Sequence, residues 1–339
     1  MFKEGKLPGR LLEELFHLLP TRDPDLVVGP MIGEDAAVIR FGDGFLVVHS
    51  DPITAAVSRI GWYAIHIAAN DIAVRGARPR WFLPVVLLYP GISSEEIHGI
   101  FRDMGRAAEE LGAVIVGGHT EVSPGLDRPI ISMTAMGYTH GRVVLTRDAR
   151  PGDTVLVVGR IGGEGAAVLA HDYGDVLVEL GVDRRIIDEA KKYIEDISVV
   201  DKALLLKEIG VNAMHDPTEG GLIQALREIA LASGTSIVVD ADKIDIDENV
   251  KRIAEVLGID PLKLLSSGSV VATIPSPRIE EVIGVLEEKG IKYSLVGKVV
   301  SGDAGKVVIV KGGERVVVDE DVVDEIYSAI NMIGSMKRE

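Results

Sequence analysis

The sequence predicts an α+β protein of two domains that meet near residues 145–155. Strand-length apolar runs alternate with stretches at helical spacing through all 339 residues, a length that suits two domains. The segment LTRDARPGDTV sets Pro151 and Gly152 between two such blocks, which is the punctuation of a junction. We therefore expect domains at 1–147 and 148–335.

In the first block, RLLEELFHLL at 10–19 spaces its apolar positions as a helix, and AAVIR at 36–40 and FLVVH at 45–49 read as strands. Ile60 to Val74 is compatible with one long helix, stopped by the Gly76 and Pro79 breakers. A strand at 82–88 precedes a helix from Ser94 to Leu111, for which Ser93 or Ser94 supplies the N-cap. The apolar run 113–116 reads as a buried strand leading into GGHTEV, and a further strand covers 130–137. In the second block, the strand TVLVV at 154–158 runs into the glycine turn GRIGGEG and a helix from Gly165. Helices at 184–195 and 198–208 follow, and HDPTEGG opens a helix through Ala232. Then come a strand at 236–239, a helix at 248–257, a strand at 269–274, a helix at 277–289 and a β-rich tail.

Composition narrows the function classes. No apolar run approaches the roughly 18 residues of a membrane span, so a cytoplasmic protein is expected. With no cysteine in the sequence, thiolate metal sites and thiol nucleophiles are excluded and any metal must use O and N ligands. One glutamine and four asparagines beside abundant Glu, Lys, Arg, Ile and Val suggest a thermophilic source. The net charge is −16, with 17 acids against 14 bases through Arg147 and 35 against 22 after it. Such a balance disfavours nucleic acid, which wants a basic face, and leaves a small phosphorylated substrate as the expected partner.

The informative feature is a set of acids beside small residues. They are Asp35 in IGEDAAV, Asp51 in HSDPIT, Asp71 in AANDIAVRGARP, Glu121 in GGHTE and Asp216 in HDPTEGG. Singly, each is an ordinary turn or cap acid. Together, they suit a hard divalent cation, which gathers carboxylate oxygens from several segments. Asp71 falls in an apolar helix, where a carboxylate needs a cation, a donor or a local pair with Arg75 four residues on. Arg75, Arg78 and Arg80 form a basic cluster whose forks match phosphate oxygens, or simply a solvated face. GRIGGEG is neither a dinucleotide fingerprint nor a Walker A loop, although its amides stand at a helix start where anions bind. His215 beside Asp216 reads as structural or as an acid/base group, and no zincin or nucleophile-elbow spacing occurs.

In this order, GEDAAV, HSDP, AANDIAVRGARP, GGHTE, TRDARPGDTVLVVGRIGGEG, HDPTEGG and SSGS resemble the superfamily of aminoimidazole ribonucleotide synthetase, selenophosphate synthetase, thiamine monophosphate kinase and the maturation protein HypE. The resemblance spans about Gly33 to Val300. It implies a PurM-like architecture, with an N-terminal domain that forms a β-barrel with its copy in a homodimer and a C-terminal α/β sandwich domain. It also implies ATP and divalent metal between the domains. The metal would be held by Asp35, Asp51, Asp71 and Asp216, with Gly162, Gly163, Thr218, Gly220 and Gly221 nearer phosphate.

Three departures stand out. HypE-like proteins end in a cysteine that accepts a carbamoyl group, whereas this sequence ends INMIGSMKRE. KEGKLPGRLL stands where a glycine-rich phosphate loop is expected. His119 replaces the acid that relatives place after the GG pair, with Glu121 two residues on. An imidazole ligand shifts preference from Mg²⁺ towards Mn²⁺. By subtraction, the leading expectation is a Mn²⁺- or Mg²⁺-dependent phosphohydrolase whose metal activates water. Its catalytic residues would be Asp51, Asp71 and Asp216, its metal ligands would include His119 or Glu121, and ATP is a possible substrate. The alternatives are an ATP-dependent kinase or synthetase and a catalytically idle maturation scaffold.

Overall fold

The computed structural model describes residues 5–336. Residues 1–4, where the first expected domain and the KEGKLPGRLL segment begin, lie outside the described residues, as do the last three of INMIGSMKRE. The first sheet holds β1 (Leu26–Val28), β2 (Ala37–Phe41), β3 (Gly44–Ile53), β4 (Arg78–Leu88), β5 (Val114–Ile115), β6 (His119–Val122) and β7 (Ile130–Thr139). Its order is β1-β2-β3-β7-β4, antiparallel throughout, with β5 and then β6 added in parallel along the outer edge of β4. The sheet is open at both edges, so the chain by itself does not close the barrel that the resemblance implies. The strand expected to be buried at 113–116 is exposed instead: Val114 and Val116 stand 55% and 52% open, because β5 pairs on one side only.

The second sheet holds β8 (Thr154–Val158), β9 (Ala213–His215), β10 (Ser236–Asp240), β11 (Val270–Ile274), β12 (Tyr293–Val300), β13 (Lys306–Lys311) and β14 (Glu314–Val318), in the order β14-β13-β10-β12-β8-β11-β9. Only β10 and β13 pair in parallel. The helices are α1 (Gly9–Phe16), α2 (Ile60–Val74), α3 (Ser94–Glu110), α4 (Gly163–Glu179), α5 (Arg184–Lys191), α6 (Val200–Glu208), α7 (Gly221–Ala232), α8 (Glu248–Leu257), α9 (Ile279–Glu288) and α10 (Glu325–Met336). Helix α3 starts at a full capping box, with the Ser93 hydroxyl on the Glu96 amide and the Glu96 carboxylate on the Ser93 amide. The expected β-rich tail ends in α10, whose Ile326, Ala329 and Ile333 join the core. Among the described residues, no helix is long and apolar enough to cross a membrane.

Helix α2 is apolar on every side because every side is covered, and all fifteen of its residues are buried. It packs on β3, β4 and β7, lies beside α3, and meets α6 of the second half. Gly61 permits the α2–α3 approach, since a Cβ there would stand 2.3 Å from the Ile100 carbonyl oxygen. Asn70 uses both ends of its amide across the junction: Nδ2 donates to the Ile197 carbonyl at 2.9 Å, and Oδ1 accepts from the Val199 amide at 2.8 Å. The result is one apolar core that runs through both halves.

The C-cap of this helix is Arg75, which is fully buried. Its guanidinium donates to Glu34 Oε2 at 2.5 Å, to Asp35 Oδ2 at 2.6 Å and to the Met214 carbonyl at 2.6 Å. Glu34 in turn accepts from the Thr146 and Arg147 amides at the junction. The local pair of Arg75 with Asp71 does not form, because these acids claim the fork first. Nor do the three arginines act as a phosphate cluster: Arg78 pairs with Asp201 and Arg80 lies over the Trp81 ring. Removing a buried cation that serves two carboxylates typically costs about 3–5 kcal/mol. Arg75→Met should therefore lower the unfolding free energy by that much, and Arg75→Lys should not restore it, because an ammonium lacks the planar fork. Equilibrium denaturation checks both, and a neutral Arg75→Met would show that the clasp is not structural.

Candidate functional site

The motif acids converge at the junction of the two halves. Asp35 lies in the loop before β2, a loop pressed on α7: Gly33 has φ 83°, and a Cβ there would stand 2.7 Å from the Glu228 carbonyl oxygen. Asp51 is on β3, Asp71 on the buried α2, and Asp216 follows β9. Ligand atoms of Asp35, His215 and Asp216 all lie within 4.8 Å of one another. Asp71 experiences the charges of Asp216, Asp35 and Asp51. Four segments far apart in sequence thus share one acidic basin.

Two kinds of acid share that basin. Asp35 and Glu228 have cationic partners, although burial still leaves the Asp35 pKa raised. His215 places Nδ1 3.0 Å from Asp35 Oδ1 and Nε2 2.7 Å from Glu228 Oε2, so each ring nitrogen meets a carboxylate. Burial alone would lower the pKa of His215, but Asp35 and Glu228 bring it up to about 9, and Nδ1 also lies 3.0 Å from the Asp216 carbonyl, so both ring nitrogens are engaged within the protein. Burial alone would raise Glu228, but Lys6 and His215 hold it down at about 2, and Gln224 donates to its other oxygen at 3.0 Å.

Asp216 and Asp71 are not compensated. Asp216 is fully buried, and neither of its carboxylate oxygens has a hydrogen-bond partner; Asp71, 6% exposed, leaves Oδ2 without one. Burial, reinforced by Asp35, pushes Asp216 up to about 7, and burial with Asp216 and Asp35 nearby holds Asp71 well above the carboxylate range. Burial also brings Asp51 to about 6. Carboxylate oxygens buried without donors are costly unless a proton or a cation meets them. The donor set therefore fits a hard divalent cation.

Other expected site residues lie elsewhere or are engaged within the protein. His119 and Glu121 sit on exposed β6, paired with each other at 3.1 Å, and β7 and β4 separate them from the strand of Asp51. Within the chain they do not join the four aspartates. The Gly162 amide donates to Ser266 Oγ at 2.7 Å, Gly163 to the Arg160 carbonyl, Gly220 to Asp324 Oδ2 at 2.7 Å, and Gly221 to the Thr218 carbonyl. The KEGKLPGRLL segment does reach the site: the Lys6 amide donates to Glu219 Oε2 at 3.1 Å, and Lys6 Nζ stands 4.0 Å from Glu228. Sequence reasoning missed Glu34, His49, Glu164, Glu219 and Glu228. Three of them flank motif acids in GED, HSD and PTEGG and were readable as neighbours, whereas Glu228 is reached only through the turn of α7.

Comparison with known proteins bears on what such a basin does. Residues 33–139 match the family described as AIR synthase related protein, N-terminal domain, and residues 150–310 match its C-terminal domain. A putative hydrogenase expression/formation protein of Methanocaldococcus jannaschii is 30% identical over 325 residues, 91% of this chain and 93% of that one. Carbamoyl dehydratase HypE of Rhizobium leguminosarum bv. viciae is 29% identical over 325 residues, 92% of this chain and 89% of its own. The solved structure of hydrogenase maturation protein HypE in complex with ATP superposes with a TM-score of 0.68 at 26% identity, covering 89% of this chain and 92% of that one. These relatives overturn the expectation of a metal-dependent phosphohydrolase, since they are named for maturation and dehydration and one is solved with ATP. The subtraction failed at its last step: a sequence without a thiol does not make water the acceptor, because the acceptor can arrive on another molecule. By its two domain matches and its end-to-end relatives, the chain belongs to the AIR synthase related protein family.

Proposed function

We propose that this chain is an ATP-dependent enzyme that activates a carboxamide-type oxygen by phosphoryl transfer, as a counterpart of the HypE relatives. The observation that carries the reading is the trio of unpartnered, buried carboxylate oxygens on Asp216 and Asp71. They and Asp35 and Asp51 would hold a divalent cation, which in turn would carry the nucleotide phosphates. A bound cation supplies charge neutralisation for the transferring phosphoryl group. The remaining work falls to the protein. His215 and Arg75 hold the Asp35 carboxylate from two sides and counter the burial that raises its pKa. Phosphorylating an amide oxygen expels ADP and turns that oxygen into a leaving group; loss of phosphate and of the N–H protons then gives a nitrile. Residues 1–339 contain no cysteine, so a thiol that carries the carboxamide is not supplied by these residues.

The same reading divides the chain into 1–147 and 148–335. It also gives a homodimer built on the open face of the first sheet, where Leu83, Val85, Val114 and Val122 are exposed.

Calorimetry with ATP tests the reading. The wild type should bind ATP when Mn²⁺ or Mg²⁺ is present and not without them, and Asp216→Asn should weaken binding about a hundredfold while leaving the fold intact. Absence of ATP binding with every divalent ion would sink the proposal.

A pH dependence follows as well. Asp51, at about 6, and Asp216, Glu164 and Asp324, at about 7, are all raised above the ordinary value near 4. Groups raised in this way favour the fold while protonated, so their contribution is complete below about pH 4 and is lost as pH rises through 6–7. Metal-free protein should melt at lower temperature at pH 8 than at pH 6, and added Mn²⁺ should raise the melting temperature more at pH 8. Equal shifts at both pH values would contradict a cation among these acids.

A further inference from the structure

The unpartnered oxygen of Asp71 has a specific neighbour. His49 Nε2, on β3, stands 3.3 Å from Asp71 Oδ2 across the gap between strand and helix. The pair is close enough to interact, yet Asp71 Oδ2 has no hydrogen-bond partner. Two ligand atoms each about 2.1 Å from one ion lie roughly 3.0 Å apart at an octahedral right angle and roughly 3.4 Å apart at a tetrahedral angle. The observed separation falls between those values. His215 cannot play this part, because both of its ring nitrogens are taken by Asp35 and Glu228. His119 cannot reach the basin within the chain.

We propose that His49 is the nitrogen ligand of the divalent cation site, shared with Asp71, and that it sets the metal preference towards Mn²⁺ over Mg²⁺. A neutral imidazole carries one N–H. With the Nε2 lone pair facing Asp71, that hydrogen is carried on Nδ1. In metal-bound histidines the second nitrogen commonly donates this hydrogen to a carbonyl or carboxylate. An imidazole among carboxylates suits Mn²⁺ and later transition ions, whereas Mg²⁺ prefers oxygen alone. The mixed carboxylate and imidazole site that the sequence suggests at His119 is thus supplied from β3, two residues before Asp51.

The proposal rests on the ATP and cation reading above and is tested apart from it, with Mn²⁺ as the probe and no nucleotide. Pulsed electron paramagnetic resonance of the Mn²⁺-loaded wild type should show ¹⁴N modulation from a directly bound imidazole. His49→Ala and His49→Gln should each abolish that modulation and weaken Mn²⁺ binding about 10- to 100-fold, with Mg²⁺ binding changed by less than about threefold. Because the first measurement is made on the wild type, a variant that fails to fold does not protect the idea. Mn²⁺ bound without ¹⁴N modulation, or modulation that survives in His49→Ala, overturns the assignment and leaves the ATP reading standing. Wild type that binds no Mn²⁺ overturns this inference, while wild type that binds Mn²⁺ through His49 but no ATP overturns only the broader reading.

Discussion

The buried guanidinium of Arg75 is the constraint on which the rest of the molecule depends. It ends a helix that both halves bury, and it donates to the Glu34 and Asp35 carboxylates and the Met214 carbonyl at once. A charge so deeply buried is tolerable only when its partners arrive from fixed directions. The loop before β2, the end of β9 and the 146–147 junction are therefore positioned by the same group that fixes α2. Asp71 lies one turn before Arg75, and Asp216 lies two residues after Met214. The clasp and the acidic basin are consequently one construction, and the domains cannot shift without disturbing both.

The basin is built with an asymmetry. Its outer acids are neutralised by the protein: Asp35 by Arg75 and His215, Glu228 by His215 and Lys6. Its inner acids, Asp71 and Asp216, are left without donors. Oxygens buried in this way are costly unless a proton or a cation meets them, whereas the outer acids have cationic partners within the protein. Lys6, half exposed and close to Glu228, brings the N-terminal segment against this basin.

Much of the architecture was legible because local chemistry and fold agree. Helix α2 matches its expected bounds at both ends, since Gly76 and Pro79 stop it. Helix α3 starts where its capping serine and Glu96 place it, and the Pro151–Gly152 junction separates the two sheets. The aspartates of the four motifs were legible as candidates because each stands beside small residues at an element's end. What misled was pattern without context. Residues 113–116 are as apolar as any core strand, but apolarity does not reveal whether a second sheet, a partner or solvent covers them. Arg75 and Asp71 stand at ideal spacing for a helix pair, but two acids from another segment offered better geometry.

The sequence by itself determined most of the helices and strands, and it singled out four aspartates as candidates for one site, because periodicity, caps and breakers are properties of neighbouring residues. Only the tertiary structure decided which acids are paid off by cations and which are left open, that His49 rather than His119 faces Asp71, and that Arg75 serves the fold instead of a phosphate. Those outcomes depend on distances between residues tens to hundreds of positions apart. Charge compensation is a property of space, and no spacing along the chain encodes it.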